Sequence, residues 1–183
     1  MRNDKQQPNY SNTMNRILLM TLLGAFTLFG CKAYKWQTTD KHEDILVGKI
    51  SRKLLNDDAH FPWMSRNYAL YNKAENTDIL FLKGYNTRVT FLVFGGTWCE
   101  DTQILLPHFL RVLDEAGFPE KAVTMYGTTR SKETLKKEAS KNNITKLPTI
   151  IVYKDGKEIG RIEETVRKSI EVDLKEMLLK TLN

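Results

Sequence analysis

Six consecutive residues, Val89-Thr90-Phe91-Leu92-Val93-Phe94, are β-branched, aromatic or aliphatic, and the run stops abruptly at Gly95-Gly96. Such a run has no polar face, so it reads as a strand buried on both sides at the centre of a sheet. An amphipathic pattern begins three residues later, at Cys99, and continues through Leu105, Leu106, Phe109, Leu110 and Leu113 to a stop at Gly117. A buried strand followed by a tight turn and a helix is the start of an α/β unit. The side chain at the helix start is a thiol.

The elements that follow agree with that layout. Ala122-Val123-Thr124-Met125-Tyr126 is a second strand, and Ser131-Lys132-Glu133-Thr134 is expected to cap a Lys-rich helix reaching about Asn142. After Leu147-Pro148-Thr149 comes the strand Ile150-Ile151-Val152-Tyr153, then Asp155-Gly156, then a return strand through Ile159 and Ile162. Asp-Gly between two such runs is a strong hairpin signal. A last helix is expected from about Val166 to Leu179. The order β-α-β-α-β-β-α predicts a mixed sheet with helices on both faces. Pro107 lies inside the Cys99 helix, where its missing N–H and bulky ring favour a kink.

Before this core, Ile45, Leu46, Ile50, Leu54 and Leu55 recur at spacings that suit a helix, and Phe61 to Tyr71 suits a second one with Pro62 in its first turn. Residues 44–77 are therefore expected to form a helical extension, with Ile79-Leu80-Phe81-Leu82 as an edge strand.

The N-terminal segment has a different character. Arg16 is followed by an uninterrupted apolar run from Ile17 to Phe29, then Gly30 and Cys31. About 13 residues are too few to span a membrane as a helix, but they suit the apolar region of a secretory signal peptide. Leu28-Phe29-Gly30-Cys31 resembles the lipobox of bacterial lipoproteins, in which the cysteine is lipidated and becomes the mature N-terminus. The expectation is a signal peptide over 1–30, with Met14 as an alternative start, a lipidated tether over 31–43, and one folded domain over 44–183. That resemblance implies an envelope protein held in a membrane by lipid on Cys31. The outer membrane is expected over the inner, with the domain facing the periplasm, and Lys32 by itself does not decide between them.

With hydrophobic residues at 41% and charged residues at 27%, the chain is neither largely disordered nor polytopic. The formal charge is +6, and part of it lies in the leader, in Arg2, Lys5 and Arg16. The remaining excess is spread over Lys-rich helices, without the aromatic interleaving of a nucleic-acid surface. No nucleic-acid partner is expected.

The ordered set Gly96-Thr97-Trp98-Cys99-x-x-Thr102 after a strand, Leu147-Pro148-Thr149 before a strand, and a Lys154-Asp155-Gly156 hairpin resembles the thioredoxin superfamily over roughly residues 78–181. The likeness is to single-cysteine members with Trp-Cys-x-Asp-Thr. It implies that Pro148 is cis and faces Cys99, that Trp98 packs beside the thiol, and that Leu147 and Thr149 form a docking edge for an extended partner. Thr102, one turn after Cys99, is expected to offer its hydroxyl to the sulfur in place of a resolving cysteine. The buried acid of many thioredoxins is replaced by Val93. Glu163 and Glu164 fall near the place where a glycine often faces the site.

The chemistry has a basis apart from the resemblance. A helix N-terminus offers unpaired N–H groups and the positive end of a dipole, which favour the thiolate, the form that attacks a disulfide. Glu100 and Asp101 oppose this, so the net direction stays open. His108 lies on the opposite face of the helix from Cys99, and His42 and His60 lie outside the core, so neither a Cys-His pair nor a metal site is expected. No cofactor is implied. The leading expectation is a monothiol that exchanges disulfides with protein or small-molecule thiols through Cys99. The alternatives are a non-catalytic binding module and, more remotely, a thiol peroxidase.

Overall fold

The computed structural model describes residues 33–38, 43–71 and 76–182. The signal-peptide segment 1–30, Met14 and the lipidation candidate Cys31 lie outside the described residues. Six strands form one sheet in the order β1-β2-β4-β3-β5-β6. They are β1 (Tyr34–Thr38), β2 (Asp44–Ile50), β3 (Val89–Gly95), β4 (Val123–Gly127), β5 (Thr149–Lys154) and β6 (Lys157–Glu163). The helices are α1 (Arg52–Leu55), α2 (Pro62–Leu70), α3 (Asn76–Lys83), α4 (Glu100–Glu115), α5 (Glu138–Lys141) and α6 (Ile170–Leu179), with a 3-10 turn at Glu120–Ala122.

The central run 89–94 is the middle strand. β3 pairs parallel with β4, Val93 opposite Met125, and antiparallel with β5, Val93 opposite Ile150. Alternation along these strands sorts the side chains to two faces. Phe91 and Val93 of β3, with Ile150 and Val152 of β5, face a large core closed by α2, α4 and α6. Phe94 and Ile151 face a smaller core with Ala139, Ile144 and Leu147, against which Trp98 and Cys99 pack. The sheet is therefore covered on both sides, and the thiol belongs to the smaller core. This is a thioredoxin-like α/β fold: a parallel β3/β4 pair, a helix leaving the end of β3, and a proline-led antiparallel hairpin of β5 and β6.

Four expectations are corrected. Residues 44–50 form a strand rather than the first turns of a helix. Ile45, Leu46 and Val47 are consecutive and buried, which a one-sided surface helix does not provide, and Gly48 at φ 103° breaks any helix there. The tether is not featureless, because residues 34–38 pair with β2 in register from Tyr34 opposite Gly48 to Thr38 opposite Asp44. The run 79–82 is helical within α3: Leu82 is buried, Leu80 points to solvent, and Lys175 of α6 donates to Asp78 at 2.6 Å. The helix expected from Ser131 begins only at Glu138, since Lys132 and Lys137 take left-handed φ angles of 64° and 61°. Thr134 supplies a late cap instead, its hydroxyl accepting from Ala139 N at 3.2 Å.

Candidate functional site

Cys99 is the N-cap of α4, with extended φ and ψ of −94° and 121°. It is half-buried and carries no disulfide. The turn that presents it is held at every residue. Cys99 N donates to Gly96 O at 2.9 Å, and Gly96 N donates to the Thr102 hydroxyl at 3.2 Å. The Thr97 carbonyl accepts from Gln103 Nε2 at 2.8 Å, and its hydroxyl accepts from the backbone of Leu46 at 3.2 Å. The Trp98 indole donates to Thr128 O at 2.9 Å. A side chain at Gly96 would collide with that ring, its Cβ lying 2.6 Å from the indole Cε2. These bonds fix the thiol on a rigid turn, the arrangement a positioned nucleophile requires.

The Leu147-Pro148 peptide is cis, and the Leu147 carbonyl lies 3.8 Å from the Cys99 sulfur. Loop and thiol are thus neighbours across 48 residues of chain. At 3.8 Å the S–H to carbonyl contact is weak. The Pro148 carbonyl is occupied by Glu164 N at 2.8 Å. Glu164 itself stands at φ 63°, in the region that glycine occupies without strain, and Lys146 donates to its carboxylate at 2.7 Å.

The structure brings Cys99, Trp98, Leu147 and Pro148 together, and it revises two further residues. Thr102 is buried, and its hydroxyl bonds to Gly96 N–H rather than to the sulfur, because the α4 axis turns that side chain beneath the loop. Its methyl group also fills the space over Gly95, where a Cβ would approach to 2.6 Å. Thr149 is fully buried inside the β3/β5/β6 pairing, and its hydroxyl donates to Lys146 O at 2.8 Å, so its side chain offers no docking surface. Glu100 and Asp101 are exposed in the first turn of α4. Val93 is buried between apolar neighbours on the larger-core face. Among the described residues no group of three or more His, Cys, Asp or Glu side chains could hold a metal ion.

Three residues with roles in the site, Thr128, Gln103 and Arg130, carry no signal in the sequence. Thr128 holds the turn together with Thr97 of the motif, and Gln103 closes its back. Arg130 lies with its guanidinium carbon 4.8 Å from the centroid of the Trp98 ring and pairs with Glu43 at the start of β2. Nothing local in the sequence marks these residues, since each acts on a segment that is distant in the chain or around a turn.

The fold is thioredoxin-like, with a cysteine at the N-cap of the helix that follows the central strand and, against it, the carbonyl that precedes a cis-proline. No family model matches the sequence, and no curated protein matches it. Among solved structures the chain is similar to a Pseudomonas aeruginosa protein of unknown function, with 14% identity and a TM-score of 0.50 over 66% of this chain and 84% of that one. Fasciola hepatica thioredoxin matches at 23% identity and a TM-score of 0.36, over 57% of this chain and 91% of that one. Mitochondrial thioredoxin 3 of Saccharomyces cerevisiae matches at 20% identity and a TM-score of 0.35, over 62% and 98%.

Proposed function

We propose that the protein is a monothiol disulfide-exchange factor that works through Cys99. The observation that carries this reading is a half-buried thiol at a helix N-cap, on a fully hydrogen-bonded turn, 3.8 Å from the carbonyl that precedes a cis-proline. In exchange, the Cys99 thiolate attacks one sulfur of a partner disulfide. The new S–S bond forms as the old one breaks, and the departing thiolate takes a proton from water. Thr102 occupies the place of a resolving thiol, so the mixed disulfide persists until an external thiol releases it. Trp98 packs against the same small core as Cys99, and the backbone of Leu147 is the edge along which an extended partner would lie.

The N-terminal pattern supports a lipid-anchored envelope location, with Cys31 acylated and the domain facing the periplasm. An oxidising compartment favours a chain with few thiols and gives a retained one a redox partner. The partners in this reading are protein or small-molecule thiols and disulfides, and the membrane is reached through the lipid.

The test is capture in intact cells. Acid quenching and alkylation of cells expressing the full chain should preserve Cys99-linked adducts on non-reducing gels, absent in Cys99→Ser. If Cys99→Ser retains the same partners without a disulfide, the protein is a binding module instead. Loss of acyl labelling in Cys31→Ser checks the anchor.

A further inference from the structure

Arg130 is held in an unusual way for a half-exposed cation. Its guanidinium lies over the indole of Trp98, the residue immediately before the thiol, with the carbon 4.8 Å from the ring centroid. That indole is itself fixed by its bond to Thr128 O, two residues before Arg130. Loop 128–130 and turn 96–99 therefore grip each other through one ring. A guanidinium stacked on an aromatic face is pre-oriented and loses little freedom when it binds.

Its hydrogen-bonding capacity is mostly unspent. Only Nη2 is engaged, by a carboxylate oxygen of Glu43, and the side chains of the pair are 44% and 46% exposed. Nε and Nη1 have no partner among the described residues. Nε–H and Nη1–H lie on opposite sides of the guanidinium, so each offers a single charge-assisted hydrogen bond to an incoming carboxylate. The two-bond fork needs Nη2 as well, and Glu43 holds it. The remaining charges nearest the thiol in sequence have the opposite sign, since Glu100 and Asp101 are exposed in the first turn of α4. An anion arriving at Cys99 would be repelled by them and attracted on the Trp98 side, while on the Leu147 side Lys146 is paired with Glu164.

We infer that Arg130 is the specificity-determining residue of the Cys99 site, selecting small disulfides that carry a carboxylate a few bonds from the sulfur. This rests on the exchange reading above. The carboxylate accepts from one open donor of Arg130 while the adjacent sulfur is presented to Cys99. The Cys99 thiolate then displaces one half of the disulfide, which leaves as a thiolate and is protonated by water.

The experiment measures rates of Cys99 adduct formation on the full chain by mass spectrometry with three disulfides: dithiodipropionate (anionic), bis(2-hydroxyethyl) disulfide (neutral) and cystamine (cationic). Each rate is divided by that of a free small thiol, which removes the intrinsic chemistry of the reagents. The wild type should prefer the anionic over the neutral reagent by about threefold, the scale of a half-exposed ion pair. The preference should shrink at high salt. Arg130→Gln should abolish it, read as the ratio of anionic to neutral rates within each variant, and Glu43→Gln should increase it by freeing the fork. Lys136→Gln, which removes an exposed positive charge elsewhere, should leave it intact. Equal preference in Arg130→Gln and wild type, or equal loss in Lys136→Gln, overturns the assignment. Failure of Cys99 to react even with the neutral reagent instead defeats the exchange reading, and the role of Arg130 falls with it.

Discussion

The backbone N–H of Leu46 donates to the hydroxyl of Thr97 at 3.2 Å, across 51 residues of chain. It joins the second strand to the residue two before the thiol. The N-terminal hairpin thereby becomes part of the support of the Cys99 turn rather than an appendage to the core.

Thr97→Val keeps the shape of that side chain and removes the acceptor. Leu46 is fully buried, so its N–H would lose this partner out of reach of water. The expected loss is about 1–3 kcal/mol of unfolding free energy. Urea denaturation checks it, with Thr97→Ser retaining most of the wild-type stability. An unchanged midpoint in Thr97→Val would show that the contact contributes nothing.

Thr102→Cys introduces a second thiol one helical turn from Cys99 at the start of α4. The introduced thiol should attack the bond between Cys99 and a captured partner, so adducts that accumulate in the wild type become transient. The measure is adduct lifetime after challenge with a small disulfide, followed by mass spectrometry. Adducts as long-lived as in the wild type would mean that the side chain at 102 cannot reach the sulfur. Loss of the Thr102 acceptor for Gly96 N–H should also lower stability by about 1 kcal/mol.

Gly127→Ala should be among the costlier substitutions of a single methyl group. The added Cβ would stand 2.2 Å from the backbone oxygen of Leu46, and backbone cannot step aside as a flexible side chain can. Strands β2 and β4 would have to separate, at a cost of roughly 1–3 kcal/mol or more. Gly156→Ala is the comparison, since nothing lies within 4 Å of its Cβ and only the left-handed φ of 80° opposes it, at about 1 kcal/mol. Thermal melting should rank Gly127→Ala well below Gly156→Ala, and the reverse order would contradict the packing of the hairpin.

His108 gives the fold a dependence on mild acid. Burial holds its pKa below the usual imidazole value despite an opposing backbone hydrogen bond at Asn67, and its ring centroid lies 5.0 Å from that of Tyr71. The folded chain therefore favours neutral imidazole. As pH falls through the unfolded value of about 6.5, the unfolded chain takes up a proton that the folded one resists, and stability drops until the folded pKa is passed. Urea midpoints at pH 7.5 and 5 should diverge more in the wild type than in His108→Gln. Equal divergence would place the acid sensitivity elsewhere.

How far the chain discloses its own fold depends on the distance over which each signal acts. The strand 89–95, the helix opening at Cys99 and the Asp155-Gly156 turn are written in contiguous residues, whereas the cis peptide before Pro148 was implied only by the family resemblance. Asp155 and Gly156 adopt φ angles of 51° and 80°, as a tight hairpin requires. By contrast, Ile45, Leu46, Ile50, Leu54 and Leu55 fit a helical spacing as well as a strand followed by a short helix. Pairing decides between them: Trp36 lies opposite Leu46, and Ile50 lies opposite Met125.

The site divides along the same line. Cys99 stands at a strand-turn-helix junction whose chemistry is local, so the primary structure was enough to nominate it, and the resemblance added Trp98 and Pro148. Which way Thr102 and Thr149 turn, that Leu46 and Thr128 bond to the turn before the thiol, and that Arg130, paired with Glu43, lies over Trp98 was decided only by tertiary packing. A hydrogen bond or a stacked ring between residues far apart in the chain leaves no periodicity behind. It comes into being when the sheet closes.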